Sequence, residues 1–255
     1  MGDGFSFASV ILSYFLTAGG LFTGMLVAGY IKSTSEAVMY LLIALGSFLG
    51  GFVAARASRG STIVEPAIGA VLVIGTIVGL FAGTGAGKLL WSSDSSSAVK
   101  AIALLGGSSA IGALGGAFVS EKFFGEATLS PFPWIIYSAL STFGACLIAT
   151  LVMGMVAMSG EASIEKLIGM MFAGMGVGCL LGGVACGASA RTRPLGASFL
   201  GGAAGVAGYF LLLSRGEAKS HDAAAGIAIL AAGGAIVTLI GALIGWFAVG
   251  KKKAG

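Results

Sequence analysis

The stretch "GTIVGLFAGTGAGKLLWSS", Gly75–Ser93, admits two readings, and the choice between them decides the fold. In the first it is a phosphate-cradling loop, a glycine-rich turn with Ala82 near its start and Gly87-Lys88 at its end. In the second it is the continuation of a membrane helix. Gly75, Gly79, Gly83 and Gly87 recur every four residues, which puts them on one helical face. Small residues at that spacing let two helix backbones meet closely inside a bilayer. Leu89 stands where a phosphate loop needs a hydroxyl for Mg²⁺, and the segment extends an apolar run rather than a strand. The second reading wins. Lys88 is then an interfacial cation whose stem lies along apolar surface beside Trp91, and no nucleotide is expected.

The rest of the chain supports a membrane setting. Its 255 residues are 57% hydrophobic and only 9% charged, with 45 glycines and a mean hydropathy of +1.02. Soluble domains carry about 25% charged residues. Runs of about 20 apolar residues span a bilayer, and eight can be placed: Phe5–Ile31, Ala37–Ala55, Ile63–Trp91, Ala98–Val119, Trp134–Met158, Leu167–Ala190, Leu195–Ser214 and Ala223–Val249. These runs are continuously apolar, whereas the strands of a membrane barrel alternate. The expected fold is therefore all-α, a polytopic transmembrane bundle with the lipid bilayer as its main partner. The first run is not read as a secretory signal, because Asp3 is its only early charge and its apolar stretch is too long. "MGDGFS" fits a myristoylation pattern formally, but one acyl chain adds nothing to eight spans.

The two halves of the sequence resemble each other. "ALGSFLGGFVAARASRG" (Ala44–Gly60) lines up with Gly174–Pro194, so that Gly46, Gly50, Gly51 and Arg59 fall on Gly178, Gly182, Gly183 and Arg191. "IGALGGAFVSEK" (Ile111–Lys122) likewise parallels "IGALIGWFAVGKK" (Ile240–Lys252). Two four-helix repeats are expected, residues 1–125 and 134–255, joined by a proline-containing connector at 126–133. Four crossings per half give both halves the same orientation, as in parallel-repeat transporters. Arg56, Arg59, Lys122, Arg191, Arg193 and the tail Lys251, Lys252 and Lys253 gather on one side. Basic residues in short loops favour the cytoplasm, so both termini are expected there, in a cell membrane. These residues read as charge anchors.

The four-residue stripe recurs through the chain: Gly20 and Gly24; Gly46 and Gly50; Gly112 and Gly116; Gly174, Gly178 and Gly182; Gly201 and Gly205; Gly241 and Gly245. In water each mid-helix glycine costs about 1 kcal/mol relative to alanine, so tight helix contacts are expected to offset it. The same faces could meet a second copy or another membrane protein.

Residues with chemistry to offer are few. His221 lies in the polar stretch "SRGEAKSHDA" and reads as a solvated loop residue. Cys146, Cys179 and Cys186 lie inside apolar runs; the last two are seven apart and could share a face, but no His or carboxylate accompanies them at ligand spacing. The many Ser and Thr residues have no base beside them, and a hydroxyl without one is a poor nucleophile. No enzyme activity, cofactor, metal or nucleic acid is expected. Glu65, directly before Pro66, reads as a helix-starting carboxylate at the positive helix end, with Arg56 or Arg59 as a partner. The alternative is contact with an ion or solute in a cavity.

The run Gly50–Arg56 (Gly-Gly-Phe-Val-Ala-Ala-Arg), followed by Arg59-Gly60 and Gly69-Ala70, resembles small four-helix, glycine-rich prokaryotic membrane proteins. Ala55 stands where those proteins more often have glycine. The likeness implies a four-helix unit and carries no activity with it. The leading expectation is a non-enzymatic scaffold or accessory subunit of a membrane assembly. The alternative is a facilitator or secondary transporter passing a small solute between the halves.

Overall fold

A computed structural model describes residues 6–31, 35–57, 63–83, 95–124, 131–158, 163–190, 195–214 and 221–250. Among these, eight helices and no strands occur: α1 (Phe7–Ile31), α2 (Glu36–Ala57), α3 (Val64–Gly83), α4 (Ser95–Phe124), α5 (Pro131–Met158), α6 (Ile164–Ser189), α7 (Leu195–Leu213) and α8 (His221–Gly250). Seven are long and apolar enough to cross a membrane, and α3 adds a shorter apolar stretch, Val64–Leu80. Helices are the natural outcome, because a backbone in lipid must satisfy its polar groups within its own segment.

The helix ends carry local signals. Glu36 opens α2 and Arg56 closes it, each sign facing the helix pole that favours it. Ser163 caps α6, its hydroxyl accepting the Lys166 N–H at 3.3 Å. Two expectations shift at the ends. Helix α5 begins at Pro131, so Pro131 and Pro133 sit in its first turn rather than in a connector. Proline is at home there, because first-turn N–H groups have no intrahelical acceptor. Helix α8 likewise begins at His221, which the sequence placed in a loop.

The helices associate in two rings of four. In the first, α1 packs on α2 and α3, and α4 closes the ring by packing on the same two. In the second, α5 packs on α6 and α7, and α8 closes it in the same way. Helices α2 and α4 run parallel, Ala44 facing Gly112 and Phe48 facing Gly116. Helices α6 and α8 also run parallel, Leu180 facing Gly241 and Val184 facing Gly245.

The rings meet along α1 and α5. Gly19 lies against the Leu140 carbonyl, and a Cβ added to Gly144 would fall 2.5 Å from the Gly19 nitrogen. Leu21, Phe22, Phe143, Leu147 and Val206 continue this seam as one buried apolar cluster. Near the start of α1, the Ser189 hydroxyl donates to the Ala8 carbonyl at 3.4 Å. The end of α6 therefore lies beside the start of α1. Since α8 runs parallel to α6, the first and last described helical residues share one end of the bundle. The outer surface is apolar: Ile111 is 74% exposed and Ile229 72%, as lipid contact requires.

Candidate functional site

Close approach of backbones is the main structural use of the glycines. A Cβ on Gly20 would fall 2.8 Å from the Gly50 nitrogen, and one on Gly46 would fall 2.7 Å from the Gly24 nitrogen. Gly112 and Gly116 meet the α2 backbone in the same way. In the second ring, Gly174 and Gly182 meet α5 at Thr150 and Thr142, and Gly178 meets it at Cys146. Gly201 and Gly205 also meet α5, while Gly241 and Gly245 meet α6. At each of these positions a methyl group would overlap a neighbouring backbone or side chain.

The stripe that settled the fold is the exception. Gly75 and Gly79 have no atom within 4 Å of an added Cβ, and both are exposed. Helix α3 turns Glu65, Gly69 and Val73 inward, and at about 100° per residue Gly75 lies some 200° round from Val73. Gly83 ends the described helix, and Gly87, Lys88 and Trp91 lie outside the described residues, so the stripe's continuation and the phosphate-loop residues are not seen.

Glu65 is a buried carboxylate, at 2% exposure. Its Oε1 accepts the Ser6 backbone N–H at 2.8 Å, while the Ser6 hydroxyl accepts the Ser9 N–H at 3.4 Å. This is the reciprocal logic of a capping box, with the carboxylate supplied by α3 instead of by α1 itself. Glu65 therefore lies in the first turn of its own helix and caps another. Arg56 goes elsewhere: its guanidinium donates to the Phe124 carbonyl at 3.4 Å and lies 5.8 Å from that ring's centre. Lys122 lies at the same end, over Phe118 and Phe123. Arg59, Arg191, Arg193 and Lys251–Lys253 fall outside the described residues.

The hydroxyls divide into two groups. Several bond as a membrane interior demands, to a carbonyl one turn back (Thr76 to Leu72, Thr238 to Gly234) or across helices (Ser141 to Gly182, Ser47 to Ser109). Tyr14 donates to Thr76 at 3.0 Å, joining α1 to α3, and Tyr209 donates to Thr150 at 3.1 Å, joining α7 to α5. Among the described residues the Ser9, Ser13, Thr17 and Thr142 hydroxyls are buried without a hydrogen-bond partner, as is Glu65 Oε2.

All three thiols are free and buried. Cys146 on α5 and Cys179 on α6 bring their Sγ atoms to 3.5 Å, whereas Cys179 and Cys186 shared only a spacing of seven. Gly178 makes this possible, because its missing side chain lets α6 close onto Cys146. No group of three or more metal-ligating residues occurs among the described residues. A crevice of about 520 Å³ opens between α1 and α7 at the end away from the start of α1, lined by Met25, Leu26, Gly29, Tyr30, Leu211 and Leu212.

Long apolar helices, an apolar exterior and interior backbone contacts define a multi-pass helical membrane protein. Compared with protein-family models, with well-characterised proteins and with solved structures, the chain matches none.

Proposed function

We propose that the chain is a compact, non-enzymatic scaffold or accessory subunit of a membrane assembly, built from two four-helix repeats in the same orientation. The observation that carries the reading is the seam between the rings. It is closed by backbone contact at Gly19 and Gly144 and continued by apolar side chains. A path for solute along that seam would need polar lining and space, and a rigid dry joint is what a structural subunit requires.

The repeat reading draws support from the contacts. Ala44–Gly112 and Phe48–Gly116 in the first ring correspond to Leu180–Gly241 and Val184–Gly245 in the second. The offsets are 180 − 44 = 136 for the α2 and α6 members and 241 − 112 = 129 for the α4 and α8 members, and both hold for the second pair. The likeness of Gly50–Arg56 to four-helix, glycine-rich proteins fits such a unit.

The partner-facing candidate is the open Gly75/Gly79 face of α3, because the other stripes are occupied inside the chain. The full chain, purified in mild detergent, should run as an oligomer or with a bound membrane partner. Gly79→Leu should dissolve that assembly and leave the thermal midpoint unchanged. A monomer without partners under these conditions refutes the scaffold reading.

One observation favours the second reading, a facilitator or secondary transporter: the crevice between α1 and α7 opens between the two rings. Reconstituted vesicles would then show solute flux that Gly29→Trp blocks. Absence of flux for ions, water and small neutral solutes removes it.

A further inference from the structure

Among the described residues Glu65 Oε2 has no hydrogen-bond partner, and α1, which packs against α3, carries unsatisfied hydroxyls. Ser9, Ser13 and Thr17 follow one another at intervals of four, forming a row along α1, and all three hydroxyls are buried without a partner. Of these, Ser13 faces α3. A Cβ on Gly69 would fall 2.8 Å from Ser13 Cβ, and Glu65 lies one turn before Gly69 on the same face. At its other oxygen Glu65 holds Ser6 at 2.8 Å, which fixes the carboxylate beside the first turn of α1.

We propose that Glu65 Oε2, Ser9 Oγ and Ser13 Oγ form a binding site for a small monovalent cation of the sodium type. The start of α1, the start of α3 and the Ser6 N–H all suit a negative charge at Glu65. A buried carboxylate with one oxygen unmatched is costly unless a positive partner meets it. Among the described residues nothing hydrogen-bonds that oxygen, and the Ser9 and Ser13 hydroxyls on the helix packed against α3 likewise lack partners. Carboxylate and hydroxyl oxygens are hard ligands, which suit hard cations and not soft metals. One carboxylate supplies a single negative charge, so a monovalent ion balances the site and a divalent ion does not. Ionisable groups retained in membrane proteins characteristically mark ion sites.

This site lies within the first ring, away from the seam and from the Gly75/Gly79 face, so it stands or falls independently of the scaffold reading. The test uses the purified full chain in nanodiscs, with ²²Na⁺ as probe and choline chloride holding the ionic strength. Saturable binding of about one ion per chain is expected. A ligand at about 100 times its Kd should also raise the thermal midpoint by about 5–10 °C over choline.

Glu65→Gln should abolish both effects, and Ser13→Ala should weaken binding about tenfold or more. Absence of ²²Na⁺ binding to the unmodified chain overturns the proposal, as does undiminished binding to Glu65→Gln. If Glu65→Gln fails to fold, the Ser9→Ala and Ser13→Ala variants decide. Weakened binding supports the site, and unchanged affinity in both refutes it.

Discussion

Replacing Gly178 and Gly79 by alanine, one at a time, adds the same methyl group to two very different places. At Gly178 the new Cβ would fall 2.5 Å from the Cys146 nitrogen and 2.7 Å from the Ala145 carbonyl oxygen, against about 3.5 Å for an ordinary contact. Helices α5 and α6 must therefore separate by about 1 Å, and the obstacle is backbone, which cannot rotate aside. Overpacking of this kind costs about 1–3 kcal/mol. Some of that is returned by alanine's helix preference, about 1 kcal/mol over glycine in water. At Gly79 nothing lies within 4 Å, so only the helix preference acts and the variant should be neutral or slightly more stable. Equilibrium unfolding in mixed micelles, followed by far-ultraviolet circular dichroism, should separate the two variants by about 1–3 kcal/mol, Gly178→Ala being the weaker. Equal stabilities, or a Gly178→Ala protein at least as stable as the original, would refute the claim that these glycines exist for backbone contact.

Three further outcomes are expected. With Cys186 replaced by alanine, a mild thiol oxidant should consume the two remaining thiols of each chain and lower its mass by two hydrogens, because Cys146 and Cys179 already sit at 3.5 Å. A chain retaining only Cys179 and Cys186 should not form an intramolecular bridge, and one that did would contradict the pairing. Tyr209→Phe should lose about 0.5–1.5 kcal/mol through its bond to Thr150, and the loss should vanish when Thr150 is already valine; an unchanged loss would assign it to packing instead. Reporter domains fused to the two ends should label the same side of the membrane, because the start of α1 and the end of α8 share one end of the bundle, and opposite labelling would rule out this topology.

Much of this architecture could be read in the residues. Apolar runs gave eight helices with ends off by a few residues, since length and hydropathy report bilayer thickness directly. The larger departures occur where helices outrun the apolar stretch, as at the end of α4, which runs to Phe124 instead of Val119. The partners of the glycines could not be read. Helix α3 carries two series spaced by four, Glu65-Gly69-Val73 and Gly75-Gly79-Gly83, and spacing alone does not say which one meets a neighbour. The first does, because it holds the carboxylate that Ser6 needs. Cys146 was equally hidden as the partner of Cys179, since pairing across α5 and α6 depends on the register that Gly178 allows. The unsatisfied row Ser9-Ser13-Thr17 had a visible signal: three hydroxyls four apart on one face, at the same end as Glu65.

The two alignments of the halves differ for a reason that glycine stripes make general. Matching by sequence sets Gly46 against Gly178, an offset of 178 − 46 = 132, whereas matching by contact partner gives 136 for the same helices. The difference is four residues, about one helical turn. A stripe repeating every four residues partly maps onto itself when slid by one turn: an offset of 132 sets Gly46 and Gly50 against Gly178 and Gly182, and 136 sets Gly46 against Gly182 and Gly50 against Cys186. Only what each stripe faces can break the tie. Gly46 meets Gly20 on α1 and Gly182 meets Thr142 on α5; Leu42 meets Gly24 and Gly178 meets Cys146. Both pairs keep offsets of 122 on the first helix and 136 on the second. On the proposed duplication, the second ring has slid α6 by one turn relative to its sequence match while keeping the contacts named here. In the α1 and α5 positions that meet α2 and α6, Gly20 and Gly24 correspond to Thr142 and Cys146. The first ring thus has glycine on both sides of that contact and the second on one, which is the cheaper arrangement once the opposite stripe already supplies the clearance.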